Sequence, residues 1–413
     1  MSRIKDDALA PRGEQKLAWV AEHMPVLNEI GAQFERETPF KDTVISICLH
    51  LEAKTAYMAH IFHSAGAEVY ISGSNPLSTH DDVCAALVRR GVHVYSWYNI
   101  DSDAHYENLY TLLDAQPDIV IDDGADLISL LHAEKKDINS VKGACEETTT
   151  GIIRAHALDR EGLLRFPVLA VNDAYCKFLF DNRYGTGQSA LEGIMRATNL
   201  VIAGKTVVVA GYGWVGKGLA MRARGLGAKI IVTEIDPVKA LEAHMEGYEV
   251  MTMEEAAPQG DIFITATGTI DVIKKEHFLA MKHGALLCNA GHFDVEVDVK
   301  TLQAMAEPRR IREHVDEYTV DGKSLYVLGE GRLVNLACAD GHPAEIMDLS
   351  FALQVLSAHH LLTHSHTLEP HVMPVPETVD NMVALRALKV LGISIDTLSE
   401  KQKAYLASWK HGT

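Results

Sequence analysis

A glycine fingerprint between two apolar runs, near the middle of the chain, limits what this sequence can fold into. The run Thr206-Val-Val-Val-Ala210 ends in Gly211-Tyr-Gly213-Trp-Val215-Gly216, and a helix-forming segment follows from Leu219 to Arg224. A second run, Lys229-Ile-Ile-Val-Thr233, stops at Glu234. Strand, glycines, helix, strand and acid in that order describe a dinucleotide-binding βαβ unit. Gly211 permits the tight turn, Gly213 lets backbone approach a pyrophosphate, and Gly216 allows close helix–strand packing. The helix N-terminus faces the phosphates and Glu234 accepts from the adenosine ribose hydroxyls. A carboxylate there repels a 2′-phosphate, which favours NAD over NADP, while Lys239 nearby weakens that preference a little. A glycine-rich turn in an unrelated α/β unit would leave this order unexplained.

The fingerprint begins near the midpoint of 413 residues, so the nucleotide domain accounts for only part of the chain and two or three domains are expected. A hydrophobic content of 47% and a charged content of 23% are those of an ordinary globular protein. The net charge of −18 argues against nucleic acid or an anionic membrane surface as partner. Neither an apolar leader in Met1-Ser-Arg-Ile-Lys-Asp-Asp7 nor a long apolar span is seen, so a cytoplasmic protein is expected. Cysteines 48, 84, 145, 176, 288 and 338 are dispersed and read as reduced, mostly buried thiols.

Residues before the fingerprint predict a second α/β unit. Apolar runs recur at 44–48, 68–71, 92–95, 118–121 and 167–171, separated by helix-like stretches such as 55–65 and 82–90. This alternation predicts a mostly parallel sheet covered on both faces. Polar residues stand where four runs stop: His50, Asn75, Asp123 and Asn172. Ligands bind beyond the carboxyl ends of such strands, so the four are expected to face one crevice, although each alone is as readily a turn or cap residue. The nucleotide domain takes strands near 206–210, 229–233, 261–265 and 285–288. Gly331 to Gly341 returns the chain, giving two crossings that suit a hinge, and Pro370 to Pro376 reads as a linker into a short segment, 377–413.

Two constellations carry possible chemistry. In Cys145-Glu-Glu-Thr-Thr-Thr-Gly151, hydroxyls cluster behind a carboxylate pair. In Asn172-Asp-Ala-Tyr-Cys-Lys177-Phe-Leu-Phe-Asp181-Asn182, a helix would set Asp173, Lys177 and Asp181 on one face. An exposed ion-pair ladder is the plain alternative. Phe178, Leu179 and Phe180 crowd Lys177, however, and a desolvated lysine beside carboxylates can be tuned to act as a base. Histidines 359, 360, 364, 366 and 371 lack the cysteine or carboxylate partners of a metal site, and no metal is expected.

Taken with Asp122-Asp-Gly-Ala-Asp126, Gly291-His-Phe-Asp-Val-Glu296, Glu330-Gly-Arg-Leu-Val-Asn-Leu336 and Gly341-His-Pro343, these motifs make the chain resemble the S-adenosyl-L-homocysteine hydrolase family from about residue 40 to about residue 405. The resemblance implies an α/β fold of two doubly wound parallel-sheet domains, with the NAD-binding Rossmann domain (185–340) inserted in a substrate domain (1–184 and 341–376). A C-terminal oligomerisation arm (377–413) and a homotetramer are implied with it. It also implies recycled NAD: the substrate 3′-hydroxyl is oxidised to a ketone, the acidified C4′ proton is lost, homocysteine leaves C5′, water adds, and the alcohol is restored.

By position, Lys177 would be the base for the 3′-hydroxyl, Asp181 would tune it, and Asn172 would position it. Asp123 would remove the C4′ proton, while His50 and His292 would assist the leaving and attacking groups. Glu147 would anchor the ribose, and His342 would sit at the gate above the base. Thr148, Thr149, Thr150 and Asn182 would meet the nicotinamide half of NAD. Gly211, Gly213, Val215, Gly216, Glu234, Lys239, Ala290, Gly291, His292, Asn335 and His342 would complete the cofactor site.

Three departures from the family pattern stand out. The tail ends soon after Leu406, so cofactor retention is expected to be weaker unless Lys410 substitutes, and Thr186 replaces a frequent Cys. The base segment reads His50-Leu-Glu52-Ala-Lys54-Thr55, where adenine-specific members carry His-x-Thr-x-Glu/Gln-Thr. Lys54 can only donate and Glu52 can accept, which inverts the adenine pattern and suits hypoxanthine. S-inosyl-L-homocysteine is therefore the expected substrate. S-adenosyl-L-homocysteine is the alternative, and more distantly the chain reads as an NAD-dependent dehydrogenase or a silent regulatory relative. A solvated Glu52–Lys54 pair with backbone groups reading the base is the competing local reading.

Overall fold

The computed structural model describes residues 2–133 and 138–410. In the first half, short apolar runs separated by helices form β1 (Val44–Leu49), β2 (Glu68–Gly73), β3 (His93–Val94), β4 (Ile119–Asp122), β5 (Gly143–Glu146) and β6 (Val168–Ala170). The second half contributes β7 (Thr206–Ala210), β8 (Lys229–Thr233), β9 (Glu249–Val250), β10 (Ile262–Thr265), β11 (Leu286–Asn289), β12 (Arg309–Arg312), β13 (Val315–Val320) and β14 (Lys323–Leu328). Last comes β15 (Val372–Pro374). One sheet runs β15-β6-β5-β4-β1-β2-β3 and the other β12-β13-β14-β11-β10-β7-β8-β9. The first is parallel throughout. Helices cover both faces, so β1, β4 and β7 bury nearly every side chain.

The chain reverses its winding between β1 and β4 in one sheet and between β7 and β10 in the other. Loops leaving the strand ends diverge at such a point and open a crevice. His50 and Asp123 follow the first pair, and Gly211 follows β7. The expected two doubly wound α/β sheets are present.

Several expectations need correction. Pro370 to Pro376 is not a linker: Val372–Pro374 pairs with β6 at the sheet edge, a place that tolerates proline. The segment 377–413 falls into two parts. Helix Glu377–Val390 buries Val379 and Val383 against the core around the first sheet, and its Asp380 carboxylate accepts from the backbone amides of Tyr175 (2.7 Å) and Cys176 (2.9 Å). Only the chain beyond it is largely exposed, with Leu391, Ile395, Leu406 and Trp409 turned outward.

The second sheet is not wholly parallel, because β12–β13 and β13–β14 are antiparallel. Asp321 and Gly322 both take positive φ (51° and 75°), which is the Asp-Gly turn a tight hairpin demands. The β5 run Gly-Ala-Cys-Glu lacks β-branched residues, so propensity hides a strand that burial between β4 and β6 imposes.

Asp173 does not share a helix face with Lys177. A 3₁₀ turn ends at Asp173, Ala174 is extended, and the helix begins at Tyr175. From Phe178 to Gly185 the winding loosens to π-helix, a form concentrated at functional sites.

Candidate active site

A cleft of about 1380 Å³ opens between the carboxyl ends of the two sheets. Of the residues named from the sequence for the catalytic, substrate and cofactor sites and for the crevice, all line it except Gly216 and Asn75. Gly216 sits behind the turn, where a Cβ would lie 1.9 Å from the Gly211 carbonyl oxygen. Asn75 faces elsewhere: its Oδ1 accepts from the Leu77 amide at 2.9 Å and closes a turn. His50, Asp123 and Asn172 do meet in the cleft.

Lys177 is 5% exposed and holds three partners: Asp181 at 3.0 Å, Glu147 at 3.2 Å and Asn182 Oδ1 at 2.9 Å. Burial works to lower its pKa, yet Asp181 and Glu147 outweigh burial and hold it above the ordinary lysine value. In the ligand-free protein the two carboxylates therefore favour the charged form of Lys177, while burial acts toward the base. Burial pushes Glu147 up to about 7 against the pull of Lys177. Asp181 is also desolvated, but Lys177 and His342 overcome this and keep its carboxyl below the usual range.

Asn172 reaches Lys177 only through Asn182: its Oδ1 accepts from Asn182 Nδ2 at 3.0 Å, and its Nδ2 donates to Thr149 Oγ1 at 3.0 Å. Two residues missed in the sequence complete the cluster. Ser350 donates to Asp181 at 2.6 Å and Gln354 to Glu147 at 2.5 Å. They stand one turn apart on the buried helix Ala344–His364, and the Ser350-x-x-x-Gln354 spacing was the available signal.

Opposite the lysine, Asp123 lies 3.2 Å from His50 Nε2 and 3.5 Å from His292 Nδ1. Gly124 makes this possible, since a Cβ there would meet His292 Nε2 at 2.6 Å. Burial, aided by His292 and His342, lowers the His50 pKa to about 4 against the pull of Asp123, so His50 is neutral near neutrality. Ligand atoms of His50, Asp123 and His292 lie within 4.8 Å of one another, close enough for proton exchange and also within reach of a cation.

The other end of the cleft fits a dinucleotide. A Cβ on Gly213 would meet nothing within 4 Å, leaving room against the backbone, and Gly211 takes φ 93° to make the turn. Glu234 accepts from the Tyr212 amide at 2.6 Å and from the Ile235 amide at 2.7 Å, which presents its carboxylate at the rim. Thr150 Oγ1 and Asn335 Oδ1 are buried in the cleft wall without a hydrogen-bond partner, as donors and acceptors awaiting a polar ligand would be.

At the base end, Glu52 and Lys54 are 5% and 6% exposed and pair at 2.6 Å, so they are not a solvated loop pair. Glu52 also caps helix Ala53–Ser64, accepting from the backbone amides of Lys54 (3.0 Å) and Thr55 (3.2 Å). Lys54 Nζ donates to the Asp340 carbonyl at 2.8 Å.

Fold and cleft define a two-domain NAD-binding enzyme. A family model described as S-adenosyl-L-homocysteine hydrolase matches residues 1–140, and one for the NAD-binding domain of the same hydrolase matches residues 182–341. The S-inosyl-L-homocysteine hydrolase of Methanocaldococcus jannaschii is 57% identical over all of both chains. The adenosylhomocysteinase of Thermococcus kodakarensis is 55% identical over 99% of this chain and 98% of that one. The S-inosyl-L-homocysteine hydrolase of Methanococcus maripaludis is 53% identical over all of both. The chain belongs to the S-adenosyl-L-homocysteine hydrolase family, NAD-dependent hydrolases of nucleosidyl-homocysteines. Among the described residues no helix is long and apolar enough to cross a membrane.

Proposed function

We propose that the protein reversibly hydrolyses S-inosyl-L-homocysteine to inosine and L-homocysteine. The observation that carries the choice of base is Lys54, a buried ammonium at the base end of the cleft that can only donate. Hypoxanthine offers an O6 acceptor and an N1–H donor where adenine offers the reverse. Beyond the protons given to Glu52 and Asp340, Lys54 keeps one for O6. The Glu52 oxygen with the longer internal bonds, 3.2 and 3.4 Å to Thr55, accepts from N1–H. An adenine amino group there would face an ammonium, an unpaired contact costing about 1–3 kcal/mol or more.

One observation favours a second reading, S-adenosyl-L-homocysteine: Glu52 is already engaged by its own helix, which would leave backbone groups to read the base. Thiol release with inosyl and adenosyl substrates side by side tests the choice. A kcat/KM for the adenosyl compound equal to or above that for the inosyl compound rejects the proposal.

Thr148, Thr149, Thr150, Asn182 and Asn335 would hold the nicotinamide half of NAD, and the turn at Gly211–Gly216 with Glu234 its adenosine half. Bound NAD supplies a reversible hydride acceptor for C3′ of the substrate. Lys177 removes the 3′-hydroxyl proton once the substrate's ribose hydroxyls draw Glu147 and Asp181 off its ammonium, because burial then acts alone and lowers its pKa. Asp181 holds a ribose oxygen, and Asp123 takes the C4′ proton. Neutral His50, with His292, serves the leaving sulfur and the attacking water. The apolar residues of the exposed C-terminal extension support docking on a second copy and a homotetramer, which sedimentation would test.

A further inference from the structure

Glu146 is a buried carboxylate that the reaction scheme leaves unused. It ends β5 with 0% exposure. Its Oε1 accepts from the amides of Gly124 (2.9 Å) and Thr148 (3.0 Å), and its Oε2 from the amide of Ala125 (2.9 Å). These amides belong to two loops entering the cleft from neighbouring strands. One follows β4 and carries Asp123; the other follows β5 and leads through Thr148 into the helix Thr149–Arg160, which opens with Thr149 and Thr150.

The site is built around this carboxylate. A Cβ on Gly151 would lie 2.1 Å from Glu146 Oε1, so the seat exists only because residue 151 has no side chain. Ala125 is held at φ 58°, a left-handed conformation that a residue with a Cβ keeps only when its surroundings impose it. Arg154 grips the same loop from its carbonyl side, donating to Gly124 O at 2.5 Å and to Asp126 at 2.7 Å. The loop bearing Asp123 is thus clamped by its amides through Glu146 and by a carbonyl through Arg154.

We propose that Glu146 is a positioning residue for proton removal: it locks the Asp123 loop to the threonine loop, so that Asp123 meets C4′ in register with the C3′ centre. This rests on the reading of Asp123 as the C4′ base.

The test uses the NAD-loaded protein with inosine and follows two half-reactions separately: appearance of reduced cofactor, and exchange of the C4′ hydrogen in deuterated water. Glu146→Gln keeps an oxygen for two amides but turns an NH₂ toward the third, freeing one anchor of the loop. Because misplacement by ~1 Å costs ~10²-fold, C4′ exchange should slow at least ~10-fold while cofactor reduction stays within about threefold of wild type. Arg154→Met should give the same split, smaller, and carries the test if Glu146→Gln does not fold. Both half-reactions falling together, or neither changing, overturns the proposal. Asp123→Asn separates the two ideas. If it exchanges at the wild-type rate, the base reading fails; if it stops exchange while Glu146→Gln exchanges normally, only the positioning role fails.

Discussion

His342 Nδ1 lies 2.5 Å from Asp181 Oδ1. Asp181 stands on the outgoing crossing between the domains and His342 on the return, and the other ring nitrogen of His342 lies 3.0 Å from Thr186 Oγ1. Asp181 in turn binds Lys177 and Ser350. Movement of either crossing is therefore felt at the lysine. Domain closure should follow ligand binding, since a keto intermediate has to be shielded from water. Small-angle scattering should show the protein contracting on addition of NAD and inosine, with His342→Ala contracting less. One unchanged profile with and without ligand would rule closure out.

Lys177→Ala and Asp123→Asn should each lower kcat by at least about 10²-fold, the scale of general acid–base groups. Their half-reactions should differ. Lys177→Ala slows cofactor reduction itself, whereas Asp123→Asn permits reduction and blocks loss of the C4′ proton. Lys177→Ala also strands two buried carboxylates, at a stability cost on the order of 3–5 kcal/mol, so its melting temperature should fall as well.

The paired change Glu52→Thr with Lys54→Glu should swing preference toward adenine. Threonine keeps a good helix N-cap at position 52. Lys54→Glu alone would set two carboxylates side by side where a 2.6 Å ion pair stood, and should be markedly less stable than the pair. Comparing kcat/KM for both substrates in a folded, NAD-bound double variant decides the matter. An unchanged preference would place base recognition elsewhere.

Two neighbouring glycines should fail in different ways. Gly213→Ala meets no protein atom, so the NAD-free protein should melt as wild type does while NAD binding weakens. Gly216→Ala forces a Cβ to within 1.9 Å of Gly211 O and should lower the melting temperature even without NAD. Calorimetry with and without cofactor distinguishes them.

His60, remote from the cleft, makes stability depend on pH. Burial, then Arg90 and His63, lowers its pKa from 6.5 to about 4, with Glu14 opposing. Because the folded value lies below the unfolded one, the unfolded chain takes up a proton in that window that the folded chain refuses. His60 therefore costs stability as pH falls from 6.5 toward 4. Asp348, pushed up to about 6 by burial, acts in the opposite sense, so the comparison is with wild type at each pH. His60→Leu should lose less melting temperature than wild type between about pH 7 and about pH 5. An equal loss would remove His60 from the account.

The sequence by itself determined what depends on neighbours in the chain. Gly211, Gly213 and Gly216 work because a missing Cβ is a local fact, and the strand, turn and helix around them need no distant partner. Runs of motifs likewise identified the family, the cofactor and the residues to look for. Tertiary structure decided everything set by which strands lie side by side. Asn75 and Asp123 both follow a strand, yet only Asp123 stands at the β1–β4 switch point, so one closes a turn and the other enters the cleft. Apolar neighbours and the Asp181 spacing mark Lys177 as a desolvated lysine beside a carboxylate, but only the fold brings Glu147 from another strand's end to join Asp181 in favouring its charged form in the ligand-free protein. Asp380 caps the lysine's helix from 205 residues away, and Lys54 reaches Asp340 across 286. Spacing along a chain carries no information about such pairs, because their distances come from sheet order and burial.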